Sequence, residues 1–140
     1  KVPIEGQLLQ VPHDLLAAFQ QRDRRALAEI LSRVEAGETL EPPAGPPARR
    51  TVVVGITGSG GAGKSTLVAA LIDYLRGQNL SVAVLACDPQ SPVTGGALLG
   101  DRIRMRLDPA DEQVYFRSLS TRGGAGGISE AIGPAIEWLK

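Results

Sequence analysis

The stretch "TVVVGITGSGGAGKSTLVAALIDYL", residues 51–75, constrains the fold more than any other part of the chain. An apolar, β-branched run enters a glycine-rich loop, and a segment with apolar residues at helical spacing leaves it. Such a loop is either a flexible linker or a backbone shaped to wrap an anion. Gly58-Ser59-Gly60-Gly61-Ala62-Gly63-Lys64-Ser65 matches G-x-x-x-x-G-K-[ST] at every fixed position, in the strand–loop–helix context that motif requires. A linker has no reason to place Lys-Ser-Thr at a helix entrance.

The residue types suit a polyphosphate. Glycines reach positive φ and carry no Cβ to hold phosphate oxygens away. The amides from Gly61 to Thr66 are expected to point inward as an anion nest at a helix N-terminus. Gly58, Ser59, Gly60, Gly61, Ala62, Gly63, Lys64, Ser65 and Thr66 are therefore the candidate nucleotide-binding residues. A helix dipole contributes only about 0.3–2 kcal/mol. Lys64, a full charge aimed at the β- and γ-phosphates, is expected to matter more and is the candidate catalytic residue. Ser65 offers its hydroxyl to Mg²⁺.

The remaining patterns supply a frame. "TVVVGI" reads as a buried strand of a parallel sheet, residues 64–76 as a helix ended by Gly77, and "SVAVLAC", 81–87, as a second buried strand. Together they make a βαβ unit over residues 51–87. "QVYFRSL", 113–119, reads as a third strand, and 128–140 as a last helix that Gly133-Pro134 should kink or delay. Upstream, Leu15, Leu16, Phe19, Leu27, Ile30, Leu31 and Val34 mark residues 12–36 as one amphipathic helix stopped at Gly37. "EPPAGPP", 41–47, is an extended connector. The expected fold is α/β: a three-layer P-loop NTPase with a mostly parallel sheet, preceded by an N-terminal amphipathic helix. Its segments are 1–40, helical; 41–50, Pro-rich; and 51–140, the P-loop domain.

Composition narrows the partners. Fifteen basic residues balance fifteen acidic ones, so net charge draws the chain to neither nucleic acid nor a membrane surface. One cysteine, Cys87, allows no internal disulfide and favours a reducing, cytoplasmic setting. No apolar run approaches the roughly 20 residues of a membrane span.

Asp88 lies at the carboxyl end of the second strand, the edge where open α/β sheets bind ligands. Asp88-Pro89 is equally a turn-starting pair. Downstream, "TGG" and "GD" frame a loop ending in Asp101. Both carboxylates are candidate ligands for a Mg²⁺ held by Ser65.

"GITGSGGAGKST", "DPQSPVTGGALLGDRIRM" and "RSLSTRGGAGG" together resemble the MeaB/ArgK/MMAA family, P-loop GTPases associated with methylmalonyl-CoA mutase. "DRRALAEILSRVE" resembles the helix these proteins carry before their G domain. The resemblance implies phosphate and Mg²⁺ roles for Lys64 and Ser65. It places Asp88 and Asp101 at or near the magnesium, Asp101 within a switch that answers the γ-phosphate. It implies GTP and GDP as ligands and a G-protein chaperone that loads and protects an adenosylcobalamin-dependent acyl-CoA mutase. It also implies a homodimer at full length. Residues 120–127, "STRGGAGG", match a family segment without a chemical assignment. Ser59 stands where septum-positioning and plasmid-partition ATPases carry a trans-acting lysine, and Gly60 where the family loop often has proline. A complete G domain also needs a strand bearing an acidic Mg²⁺-linked residue with a glycine switch, and an N-K-x-D loop that reads guanine. Neither occurs here, so the chain is expected to be the N-terminal part of a longer protein and inactive in hydrolysis by itself.

Two alternatives stay open. An ATP-dependent kinase, acting on a small molecule or within a transport system, would need a lid, and Arg102, Arg104 and Arg106 could supply one if they are not simply a solvated face. A nickel or cobalt metallochaperone GTPase would need transition-metal ligands. Cys87 and His13 are the only Cys and His, far apart in sequence, and Cys87 reads as a small core residue.

Overall fold

A computed structural model describes residues 9–45, 50–88, 108, 110–120 and 129–140. The chain forms two compact units, residues 1–51 with 130–140, and residues 52–129.

The first unit is helical. Helices α1 (His13–Gln20) and α2 (Arg24–Glu35) replace the single helix expected over 12–36. The break is chemical. Arg22 takes a left-handed φ of 65°, and the Asp23 carboxylate accepts hydrogen bonds from the amides of Arg25, at 2.7 Å, and Ala26, at 3.4 Å. An aspartate so placed satisfies amides that a new helix leaves unbonded and starts that helix where it sits. Gly37 ends α2 as expected, with φ 96°. The amide of Gly37 donates to the Val34 carbonyl and that of Glu38 to the Arg33 carbonyl, each at 3.0 Å, the paired bonds of a Schellman stop. Arg33 and Glu38 add an ion pair at 2.7 Å.

The last helix, α4 (Ile132–Leu139), belongs to this unit. Gly133-Pro134 delays it, as expected: Pro134 falls in the first turn, where the missing amide costs no intrahelical bond. Ala26, Ile30, Leu31, Val34 and Leu40 are buried with Ala135 and Trp138 of α4. The Trp138 ring meets Phe19 of α1 edge-on, centroids 5.1 Å apart.

The second unit carries the loop. Helix α3 (Lys64–Gly77) packs against β1 (Val82–Asp88), which pairs in parallel with β2 (Val114–Ser120). The register runs from Val82 opposite Val114 to Asp88 opposite Ser120. Both strands match the expected ones within a residue. Gly77 is the last helical residue rather than the stop. Asn79, at φ 58°, supplies the left-handed position, its amide donating to the Arg76 carbonyl and that of Leu80 to the Leu75 carbonyl. At this end Arg76 pairs with Asp111 at 2.7 Å, and Ser81 donates to the Gln113 side chain at 2.7 Å.

"TVVVGI" departs most from expectation. Residues 51–56 form no strand, and Val52 and Val53 are 73% and 55% exposed. Strand character is shared property: β-branched residues favour an extended backbone, but only a neighbouring ladder makes a strand. No described residue provides one. The βαβ unit expected over 51–87 is thus helix and strand without its first strand. The described residues form a small two-stranded parallel sheet, consistent with an α/β fragment of P-loop type.

Candidate functional site

The loop owes its shape to three glycines. Gly58, Gly61 and Gly63 hold φ values of 154°, 76° and 85°, a region that side chains disfavour. The turn between them closes through the Ala62 amide, which donates to the Ser59 carbonyl at 3.3 Å. Gly63 is the cap of α3, and no side chain occupies that cap. The first turn of a helix leaves amides without intrahelical acceptors. Here those amides, from Lys64 to Thr66, follow directly on the turn, so bare backbone and the positive end of α3 coincide.

Lys64 folds back over the loop. Its Nζ donates to the carbonyl oxygens of Gly58 at 2.8 Å and Ser59 at 2.7 Å. Its aliphatic stem lies 3.7 Å from where a Cβ on Gly58 would stand, so the glycine leaves the stem room to lie close. Two loop carbonyls are thereby covered by a cation, and the loop offers an anion donors rather than acceptors. Ser65 is the second residue of α3, and Thr66, the third, is exposed.

The other expected site residues divide. Asp88 closes β1, with Ser120 of β2 as its register partner at the carboxyl end of the sheet. Asp101 and Arg102, Arg104 and Arg106 lie outside the described residues, as do residues 121–127 of the "STRGGAGG" segment. The structure brings Gly58, Ser59 and Lys64 into direct contact. Ser120, 2% exposed, is the first residue of the "STRGGAGG" segment in the sequence and proves to be the last residue of β2. His13 and Cys87 fall in different units. No group of three or more His, Cys, Asp or Glu residues gathers among the described residues. Among those residues no helix is long and apolar enough to cross a membrane.

Comparison with known proteins places the sequence beside named relatives. The family model described as methylmalonyl Co-A mutase-associated GTPase MeaB matches residues 27–140. A Pyrococcus horikoshii protein named as a GTPase is 44% identical over 94% of this chain. A fused isobutyryl-CoA mutase of Cupriavidus metallidurans is 42% identical over 84% of it. GTPase ArgK of Escherichia coli is 37% identical over 80%. The chain spans 43%, 11% and 36% of these three relatives, respectively.

Proposed function

The chain belongs to the MeaB family of methylmalonyl Co-A mutase-associated GTPases, and from that premise we propose that it is the phosphate-binding part of a GTP-hydrolysing chaperone for an adenosylcobalamin-dependent acyl-CoA mutase. The observation that carries the reading is the loop itself: three left-handed glycines, an uncapped helix start, and a lysine folded across the turn.

Gly58 to Thr66 hold the β- and γ-phosphates of GTP through main-chain amides. Lys64 exchanges its two carbonyl acceptors for phosphate oxygens and offsets the charge that gathers as the bond from the γ-phosphorus to the bridging oxygen breaks. Water attacks that phosphorus, and GDP and phosphate leave. The donors fit magnesium: the Ser65 hydroxyl and the carboxylates of Asp88 and Asp101 are hard oxygen ligands, the kind Mg²⁺ takes alongside phosphate and water. Held by these residues, the ion would supply positive charge to offset that of the phosphates. Lys64 acts as the catalytic residue, Ser65, Asp88 and Asp101 as metal ligands. Asp101 is assigned to sensing the γ-phosphate.

The mutase partner rests on the relatives. A segment similar to this chain forms part of proteins named as fused isobutyryl-CoA mutases from Cupriavidus, Geobacillus and Paraburkholderia. Domains joined in one polypeptide in some organisms commonly meet as separate chains in others. The protein acts in the cytoplasm, as a homodimer.

Titrating the protein with GTP and with ATP, each with Mg²⁺, tests the base preference. Tighter GTP binding is expected; tighter ATP binding would contradict it. Capture of an acyl-CoA mutase should differ between GDP and a non-hydrolysable GTP analogue, and no difference would count against the chaperone role.

A further inference from the structure

Register partners in a parallel pair stand on the same face of the sheet, on strands about 4.8 Å apart. In this sheet the pairs Val82–Val114, Val84–Phe116, Ala86–Ser118 and Asp88–Ser120 follow one another along one face toward its carboxyl end. On β2 that face turns from apolar to polar at its last two positions, and both are serines. The pair between them, Cys87–Leu119, belongs to the other face, where Leu119 is fully buried.

The two serines differ in their neighbours. Ser118 is paired with Ala86, which has no side-chain acceptor, and the Ser118 Oγ is buried without a hydrogen-bond partner. A hydroxyl so placed has lost its bond to water and gained none in return. Ser120, 2% exposed, is paired with an aspartate. A carboxylate is an acceptor with room for several bonds, and a hydroxyl bond to an ionised oxygen is roughly twice as strong as a neutral one. The register thus sets one buried hydroxyl beside an acid and the other beside a methyl group. A carboxylate that binds a metal also depends on a second hydrogen bond to fix its orientation.

We propose that Ser120 is a positioning residue of the magnesium site: its hydroxyl donates to one carboxylate oxygen of Asp88 and so orients the other for the ion. The inference rests on Asp88 being a magnesium ligand and adds what holds it. Ser120 touches neither nucleotide nor metal and acts through Asp88. Ser118, one pair further from the edge, has no part in this.

Three variants test the proposal. In Ser120→Ala the Mg²⁺ concentration for half-saturation in nucleotide binding should rise by about tenfold or more, as in Asp88→Asn. Ser118→Ala should keep the wild-type value, and binding without Mg²⁺ should be equal in all of them. General loosening of β2 would not distinguish the two serines. A double-mutant cycle in chemical denaturation gives a readout independent of metal and nucleotide. Ser120→Ala and Asp88→Ala should depart from additivity by about threefold or more in the unfolding constant, while Ser118→Ala and Asp88→Ala should add. If Asp88→Asn raises the Mg²⁺ requirement and Ser120→Ala does not, or if both serine variants raise it alike, the inference fails and the metal assignment stands. An additive cycle for Ser120 and Asp88 would equally overturn it. If Asp88→Asn changes nothing, the assignment and the inference fall together.

Discussion

The Nζ of Lys64 donates to the carbonyl oxygen of Gly58 at 2.8 Å, closing the loop with the side chain that follows it. A second bond, to Ser59, makes the closure double. Both acceptors sit at the surface, so the bonds hold the loop in shape without supporting the core. The parts of the loop that carry shape and those that carry binding are therefore separable by mutation.

Gly63 isolates shape. A Cβ there would meet no atom within 4 Å, yet φ is 85°. The penalty of Gly63→Ala is conformational, about 1–2 kcal/mol. Gly60, with equal room and no positive φ, is its control. Chemical denaturation should show Gly63→Ala less stable and Gly60→Ala close to wild type. Nucleotide affinity should fall with Gly63→Ala as the amides lose their aim.

Asp88→Asn tests the metal assignment. The amide keeps the shape of the carboxylate and removes its charge. Half-saturation by Mg²⁺ in nucleotide binding should rise by at least about tenfold, while binding without Mg²⁺ should stay as it was. An unchanged Mg²⁺ requirement would remove Asp88 from the site.

In the helical unit, Asp23→Ala removes the carboxylate that caps α2 through Arg25 and Ala26. The expected loss is about 1 kcal/mol, read from the denaturation midpoint. A continuous helix over 12–36 would instead gain from alanine at this position, so the sign of the change decides between the two descriptions.

Val53→Thr makes the same test for the unpaired run. At an exposed position it should change the stability of this chain by less than about 0.5 kcal/mol. In a buried strand the hydroxyl would cost about 1–3 kcal/mol.

These contrasts mark what the sequence made legible. The loop could be read because its chemistry is local: Gly58, Gly63, Lys64 and Ser65 lie within one turn and the start of one helix. β1 and β2 came within a residue because apolar runs bounded by polar turns delimit them. The run at 51–56 forms no strand because its β-branched residues state a preference that only a neighbouring ladder fulfils. The break at Asp23 was hidden because the apolar spacing runs across it from Phe19 to Leu27, although an aspartate before "RRALAE" is itself a helix-start signal. Asn79 is hard to single out because Gly77, two residues earlier, carries the stronger stop signal. Ser120 becomes visible only once the register sets it beside Asp88.

The central claim is that this loop grips a polyphosphate with Lys64 as its charged clasp. Titration of wild type and Lys64→Ala with a fluorescent guanine nucleotide in the presence of Mg²⁺ tests it most directly, with circular dichroism as the check on folding. The account predicts saturable binding by wild type and a loss of about a hundredfold or more in the variant, with unchanged helical signal. Equal binding by the two proteins, or none by the wild type, would contradict it.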